Sequence, residues 1–278
     1  MKTSKEFKDG LSICNVSKSY GSGPDSTPAV ANCTFHVPKG SICMVVGPSG
    51  CGKTTLLNAI AGFHNIDEGA IYLDSTTLCR GGGPPANVGP DRIVVFQNGA
   101  LFPWKTILEN VAFGPVAQSV MSFKEASTKA EELLREAGLE RVRDHYPAAT
   151  SSGVRRRVEI VRALINTPSV LLLDEPYRAL DTLTKVRMHE ALLALHARHN
   201  VTIFFITHDL QEAIFLGSKV VIMSSRPCTP RLILDIDLPY PRDYSLLASP
   251  RFQELLDLTN DAIQKEALMA FEQGEREG

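Results

Sequence analysis

The chain has 278 residues, of which 44% are hydrophobic and 22% are charged, and this balance excludes a disordered or fibrous protein. Its formal net charge of −2 argues against a broad nucleic-acid-binding surface, which needs an excess of basic residues. The first ten residues lack the apolar segment of a secretory signal, and no apolar run reaches the roughly 18 residues of a membrane span. The six cysteines form no CxxC pair, which is typical of reduced intracellular thiols.

The predicted elements begin with two strand-like segments at 11–20 and 29–37, which the turn-rich sequence GSGPDSTP separates. They predict an antiparallel β layer at the start of the chain. Short β-branched runs follow at 41–46, 93–96, 170–173, 201–206 and 219–223, and helices are predicted at 54–63, 122–137, 154–165, 182–199 and 210–216. This alternation is typical of an α/β protein with a largely parallel sheet flanked by helices.

Between residue 98 and about residue 153 the strand pattern disappears, which predicts a helical insertion into the α/β core. A last helix is predicted from residue 252 to about residue 273. We therefore expect one domain, with a core at about 1–97 and 160–225, a helical subdomain at about 98–159 and a C-terminal tail at 226–278. The tail is interpreted as a packing element, a dimer contact or a regulatory element.

Residues 47–54 read GPSGCGKT and fit the pattern G-x-x-x-x-G-K-[ST], with a buried strand before them and an apolar helix after them. Glycines let such a loop wrap closely around phosphate oxygens, and N–H groups at the helix start attract the anion. A lysine here brings positive charge to the β and γ phosphates, and the next hydroxyl reaches Mg²⁺. The predicted nucleotide contacts are Gly47, Pro48, Ser49, Gly50, Cys51, Gly52, Lys53, Thr54 and Thr55, and Thr54 is also a predicted metal ligand.

Polar side chains also follow three other predicted strands. Asp174 and Glu175 end an apolar strand, where the first is placed to hold Mg²⁺ and the second to act as general base on the attacking water. His208 follows the strand at 201–207 and can bond the γ-phosphate, and Gln97 follows 92–96 and can reach Mg²⁺ or the water. Each of them alone is compatible with an ordinary loop residue, but together with the phosphate loop they indicate nucleotide hydrolysis.

With these motifs in this order, the sequence resembles the nucleotide-binding subunits of ABC transporters over nearly its whole length. GPSGCGKTT matches Walker A, VLLLDEP matches Walker B, VFQN the Q-loop, ALD at 179–181 the D-loop and ITHD the switch histidine. The resemblance implies a P-loop NTPase fold with a RecA-like core, an N-terminal antiparallel β layer and an inserted helical subdomain. It also implies ATP and Mg²⁺ as cofactors, with Tyr20 stacked on the adenine.

The resemblance further implies a head-to-tail dimer with a second ABC ATPase subunit, identical or different, that drives a transmembrane permease at the cytoplasmic face of the plasma membrane. A periplasmic or extracellular substrate-binding protein would then be an indirect partner. Residues 89–114 are similar to importer subunits of the nitrate, sulfonate and taurine group, so we expect a small anion as cargo. Phe102, Pro103 and Trp104 then line a groove for the permease, and local packing is the alternative interpretation.

The sequence departs from the family pattern at the signature loop, where LSGGQ is replaced by TSSGV at 150–154. Ser151 and Gly153 match, and we expect them to contact the γ-phosphate bound by the partner subunit. Ser152 would cost about 1–2 kcal/mol if this position needs a left-handed backbone. Of the three arginines that follow, Arg155 and Arg156 are expected on a solvated face, unless a nearby phosphate compensates their charges. A hydrolysis-poor, ATP-binding subunit of a heteromeric complex therefore remains the alternative to an active ATPase.

Overall fold

The computed structural model describes residues 9–21, 23, 26–178 and 180–272. Ala179 of the predicted D-loop and residue 273 of the predicted last helix lie outside the described residues. The chain divides into two compact units, one formed by Met1–Val88 with Thr202–Gly278 and the other by Gly89–Val201. The described strands and α-helices are β1 (Gly10–Tyr20), β2 (Thr27–Pro38), β3 (Ile42–Val46), α1 (Lys53–Ala61), β4 (Glu68–Leu73), β5 (Thr76–Arg80), β6 (Arg92–Val95), α2 (Ile107–Ala117), α3 (Phe123–Glu136), α4 (Ser152–Leu164), β7 (Val170–Asp174), α5 (Thr182–His199), β8 (Thr202–Thr207), α6 (Leu210–Leu216), β9 (Lys219–Met223), β10 (Pro230–Asp235) and α7 (Pro250–Glu272).

The first unit contains an antiparallel sheet with the strand order β2-β1-β4-β5. The pairing of β1 with β2, in which Leu11 lies opposite Val37, confirms the predicted antiparallel β layer. The sequence analysis missed β4 and β5, which form a hairpin through Asp74, a residue with a φ of 51°. Aspartate tolerates this left-handed conformation better than most residues, which suits it to a tight hairpin turn.

The same unit contains the strands in the order β10-β9-β3-β8. β3 pairs in parallel with both β8 and β9, and every residue of β3 and β8 is buried, as expected for a central parallel sheet. β10, which was not predicted, pairs antiparallel with β9 and alternates between exposed and half-buried residues, as an edge strand does. α7 packs through Phe252, which is fully buried.

The second unit pairs β6 in parallel with β7 and also contains α2 to α5, of which α4 packs against β6. α2 and α3 each begin at a capping box, in which Thr106 with Glu109, and Ser122 with Glu125, satisfy the first backbone N–H groups. The helical pattern predicted after residue 98 is therefore confirmed, whereas the boundaries predicted for the core, the subdomain and the tail stay predictions. Among the described residues, no helix combines the length and hydrophobicity needed to cross a lipid bilayer.

Candidate functional site

The phosphate loop of the first unit joins β3 to α1 and depends on two glycines. Gly50 has a φ of 73° and Gly52 a φ of 122°, which side-chain-bearing residues rarely adopt. A Cβ atom on Gly52 would lie 2.2 Å from the carbonyl oxygen of Ala29, so no larger residue fits there. Within the described chain, side chains cap the starts of α2 to α6, whereas no side chain caps α1 at Gly52. An uncapped, glycine-lined helix start is suited to bind an anion.

Lys53 places the positive charge of this loop in a buried position, with 6% of the residue exposed. Its Nζ donates to the carbonyl oxygens of Gly47 and Pro48, at 2.7 Å each, and lies 3.7 Å from Cys51 Sγ. Among the described residues, the ammonium group is therefore held by atoms of the loop itself. A phosphate bound at the start of α1 would meet a cation that is already oriented.

Two cysteines that the sequence analysis gave no paired role lie together at this loop. The thiol of Cys228 hydrogen-bonds to Cys51, and this bond, helped by Lys53, lowers the pKa of Cys51 to about 6 although burial raises it. The same bond and burial hold the pKa of Cys228 well above its ordinary value. Arg226, two residues earlier, donates to the carbonyl oxygen of Gly50 at 2.9 Å. The segment 226–228 of the tail therefore supports the phosphate loop, which no local sequence signal indicated.

Tyr20 lies beside the phosphate loop in the same unit. Its hydroxyl donates to Thr55 Oγ1 at 3.5 Å, and its ring contacts the His64 ring edge-on at 6.2 Å between centroids. With 43% of the residue exposed, the ring keeps a surface on which a planar base can stack.

The register of the parallel strands brings His208 to the same sheet edge as the phosphate loop. Val46 of β3 lies opposite Thr207 of β8, so Gly47 and His208 are the next residues of two neighbouring strands. Asp209 then caps α6 by accepting from the N–H of Glu212 at 3.1 Å, and its own N–H donates to Thr207 Oγ1 at 3.1 Å. These bonds fix the backbone on both sides of the exposed His208.

In the second unit, the same kind of register brings Gln97 together with Asp174 and Glu175. Val95 of β6 lies opposite Leu173 of β7, so Gln97 after β6, Asp174 at the last position of β7 and Glu175 after it lie at the same carboxyl edge of the paired strands. Asp174 is buried, with 9% exposed, at the last position of β7. Glu175 has a φ of 42°, and its carboxylate accepts from Arg178 Nη1 at 3.2 Å. Strained backbone of this kind in a residue other than glycine is concentrated at functional sites.

The signature loop of this unit adopts an unstrained helix start. Ser151 is the N-cap of α4, and its Oγ accepts from the N–H of Val154 at 3.3 Å. Ser152 is the first residue of α4 and has no positive φ, so the cost expected for a left-handed serine does not arise. A Cβ atom on Gly153 would lie 2.7 Å from Thr184 Cγ2, so any larger residue at this position would need the Thr184 side chain to shift.

The expectation that Arg155 and Arg156, after the signature loop, lie on a solvated face is wrong. Arg155 Nη1 donates to the carbonyl oxygens of Pro147 and Thr150. Arg156 donates from Nη1 to the carbonyl oxygen of Phe96 and from Nη2 to that of Gln97, both at 2.7 Å. The carbonyl partners of Arg156 lie about sixty residues earlier in the chain, so sequence neighbours could not reveal them. Arg155 and Arg156, together with Gln97 and Pro147, line a pocket of about 630 Å³ beside the Q-loop.

An aromatic cluster follows the Q-loop. Trp104 is 70% exposed, and Phe102 lies between it and Phe113, with ring centroids 5.6 Å and 4.7 Å away. The turn that carries them is pinned by Asn110, a fully buried residue of α2 that bonds to the backbone of Phe102, Lys105 and Thr106. The exposed indole is therefore carried by a turn whose backbone is fixed by Asn110.

Comparisons with known proteins agree with this geometry. The family model described as "ABC transporter" matches residues 30–178. The taurine import ATP-binding protein TauB of Rhizobium johnstonii is 42% identical over 234 residues, covering 82% of this chain and 86% of TauB. The aliphatic sulfonates import ATP-binding protein SsuB of Bacillus cereus is 38% identical over 264 residues, covering 95% of this chain and 96% of SsuB.

A solved structure gives the same result for the fold. The dimeric post-hydrolysis structure of the ATP-binding cassette MJ0796 with ADP and Pi is 29% identical, with a TM-score of 0.69. The match covers 82% of this chain and 100% of that one, which confirms the P-loop NTPase fold that the resemblance implied. The chain belongs to the ABC transporter family and is one of its ATP-binding cassettes.

Proposed function

We propose that the chain is the ATP-hydrolysing subunit of an importer for a small sulfonate anion such as taurine, working at the cytoplasmic face of a membrane. The observation that carries the proposal is the uncapped, glycine-lined start of α1 around the buried Lys53. The names of TauB and SsuB support the cargo class, and the dimeric cassette supports a head-to-tail dimer. Nitrate is the other cargo of the expected group.

The roles proposed for the residues follow from their positions. Residues 47–55 bind the phosphates, and Tyr20 stacks on the adenine. Thr54, Gln97 and Asp174 would hold Mg²⁺, which would neutralise charge on the phosphates. The oxygen and amide donors of this set suit that hard cation.

Hydrolysis then needs a proton acceptor for the attacking water, and we assign this role to Glu175, the residue that follows β7. His208 bonds the γ-phosphate and orients the water. In the dimer, Ser151 and Gly153 act on the nucleotide held by the other subunit, with the helix start of α4 directed at its γ-phosphate. The second subunit is either another copy or a different cassette.

The first experiment measures ATP turnover of the purified chain with its permease in membranes. Glu175→Gln should abolish turnover while ATP still binds, because the phosphate loop lies in the other unit and is untouched. Glu190→Gln, an exposed acid on α5, is the matched control and should turn over ATP normally. Equal turnover in Glu175→Gln and the unaltered chain would contradict the proposed role.

The alternative of a hydrolysis-poor subunit rests on the altered signature loop, and the helical, unstrained Ser152 disfavours it. Replacing Thr150→Leu, Ser152→Gly and Val154→Gln together restores the family pattern. If the present loop already works, ATP turnover should stay within about threefold of the unaltered chain. A rise of a hundredfold or more would instead support the weakened loop.

The permease contact is assigned to the aromatic cluster around Trp104. Trp104→Ala should reduce recovery of the chain with permease-containing membranes, because it removes a large, exposed aromatic surface. Tyr146→Ala is the matched control, since Tyr146 is 53% exposed in the same unit. In vesicles that contain the permease and its binding protein, taurine, an alkanesulfonate and nitrate are compared as stimulators of ATP turnover, and only the cargo should stimulate it.

A further inference from the structure

Arg156 joins the signature helix α4 to the Q-loop through the backbone of the loop. Its Nη1 and Nη2 donate to two successive carbonyl oxygens, those of Phe96 and Gln97, at 2.7 Å each. A guanidinium group presents its donors in a rigid planar fork, which can hold two adjacent acceptors at once. A lysine ammonium has no such fixed fork, so it cannot impose the same geometry.

Glu159, one turn later on α4, completes the connection. Its Oε2 accepts from Arg156 Nη1 at 2.5 Å, and its Oε1 accepts from the N–H of Ala100 at 2.7 Å. The pair therefore forms hydrogen bonds to both ends of the segment 96–100. A Cβ atom on Gly99 would lie 3.2 Å from Glu159 Oε1, so the carboxylate also lies close to the loop at Gly99.

Both side chains are shielded from water, which makes the contact strong and specific. The Arg156 side chain is 11% exposed and that of Glu159 is 4% exposed. Removing one partner would leave the other charge desolvated, which is costly for a buried ion pair. Charge-assisted hydrogen bonds of this kind are also shorter and stronger than those between neutral groups.

We propose that the Arg156–Glu159 pair is a positioning device that holds the Q-loop backbone on α4 and thereby sets the direction of the Gln97 side chain. The proposal rests on the proposed function, because Gln97 matters only if the chain hydrolyses ATP. Arg156 touches no reacting atom in this role and acts through Gln97. The Q-loop and the helix start capped by Ser151 would then move together, because one bonded network joins them.

The test is a double-mutant cycle between Arg156→Met and Gln97→Ala, measured as kcat for ATP. Arg156→Met should lower kcat about tenfold in the unaltered chain and leave the KM for ATP within about twofold. In the Gln97→Ala background, Arg156→Met should have no further effect on kcat. The kcat of Arg156→Lys should lie between those of the unaltered chain and of Arg156→Met, since lysine keeps the charge without the planar fork. Arg141→Met, on an exposed arginine of the same unit, is the control.

A second measurement does not depend on turnover. In Arg156→Met and in Glu159→Gln, hydrogen exchange of the backbone N–H of Ala100 should speed up at least tenfold, because its acceptor is lost or loosened. Exchange in the phosphate loop should stay unchanged. Unaltered exchange at Ala100, or equal losses of kcat with and without Gln97, would overturn the proposal. If the unaltered chain shows no ATP turnover while Arg156→Met still speeds exchange at Ala100, the proposed function is overturned instead.

Discussion

Asn110 is the residue whose replacement tests most directly how the aromatic cluster is held. It is fully buried in α2, and its single amide makes four hydrogen bonds to the turn at 102–106. Oδ1 accepts from the N–H of Phe102 at 2.8 Å, and Nδ2 donates to the carbonyl oxygens of Phe102, Lys105 and Thr106 at 2.9 to 3.1 Å. Asn110→Ala removes all of these bonds without adding volume.

The loss of stability expected for Asn110→Ala follows from the number of hydrogen bonds that the side-chain amide can make at one time. The amide has two N–H groups for three carbonyl oxygens, so the four contacts amount to about three independent hydrogen bonds. At about 1 kcal/mol each, they contribute about 3 kcal/mol to the free energy of unfolding. The N–H of Phe102 loses its acceptor as well, and water entering the space left by the amide offsets part of that cost.

The chain offers its own probe for this measurement, because Trp104 is its only tryptophan and lies on the turn itself. Urea unfolding followed by tryptophan fluorescence should show about 3 kcal/mol less stability for Asn110→Ala. The exposed Asn98→Ala is the matched control and should change stability by less than about 0.5 kcal/mol. A loss below about 1 kcal/mol in Asn110→Ala would refute the claim that this side chain holds the turn.

Three further predictions concern packing, titration and the tail. Gly153→Ala should cost about 1–3 kcal/mol in urea unfolding, and Thr184→Ser should recover most of it, because the added Cβ meets only Cγ2 of Thr184 at 2.7 Å. Cys228→Ala should raise the pKa of Cys51 from about 6 towards its ordinary value, which moves the thiolate absorbance titration to higher pH. An unchanged titration of Cys51 in Cys228→Ala would exclude the hydrogen bond between the two cysteines. Arg242→Met should cost about 3 kcal/mol in unfolding, since its buried guanidinium bonds to four carbonyl oxygens, and an unchanged midpoint would contradict that.

The elements that could be predicted from the sequence are those that a short, continuous segment of the chain determines. The phosphate loop was found because Gly52 and Lys53 follow a buried strand and open a helix within one short segment. The predicted bounds of α5, α6 and β9 agree with the structure because their apolar periods end at clear breaks. By contrast, β4, β5 and β10 were missed, because short strands with half-exposed faces carry little periodic signal of their own.

The parts that could not be predicted depend on partners distant in sequence. A run of three arginines ordinarily predicts a solvated face, and nothing near Arg156 indicates that two carbonyl oxygens about sixty residues earlier will accept its donors. The contact between Cys228 and Cys51 could not be predicted for the same reason, because it depends on the pairing of β9, which precedes Cys228, with β3, which precedes Cys51. Long-range pairing of this kind leaves no trace in composition or local spacing.

Under the proposed roles, the residues assigned to nucleotide affinity lie in the first unit, and those assigned to turnover lie in the second unit apart from His208. The phosphate loop, Tyr20 and the segment 226–228 lie in the first unit, and the contacts described for them stay within it. Glu175, Gln97 and the Arg156–Glu159 pair lie in the second unit and are fixed by bonds inside that unit. Changes in the second set should therefore lower kcat with little change in ATP affinity, whereas changes around Lys53 should weaken ATP binding first.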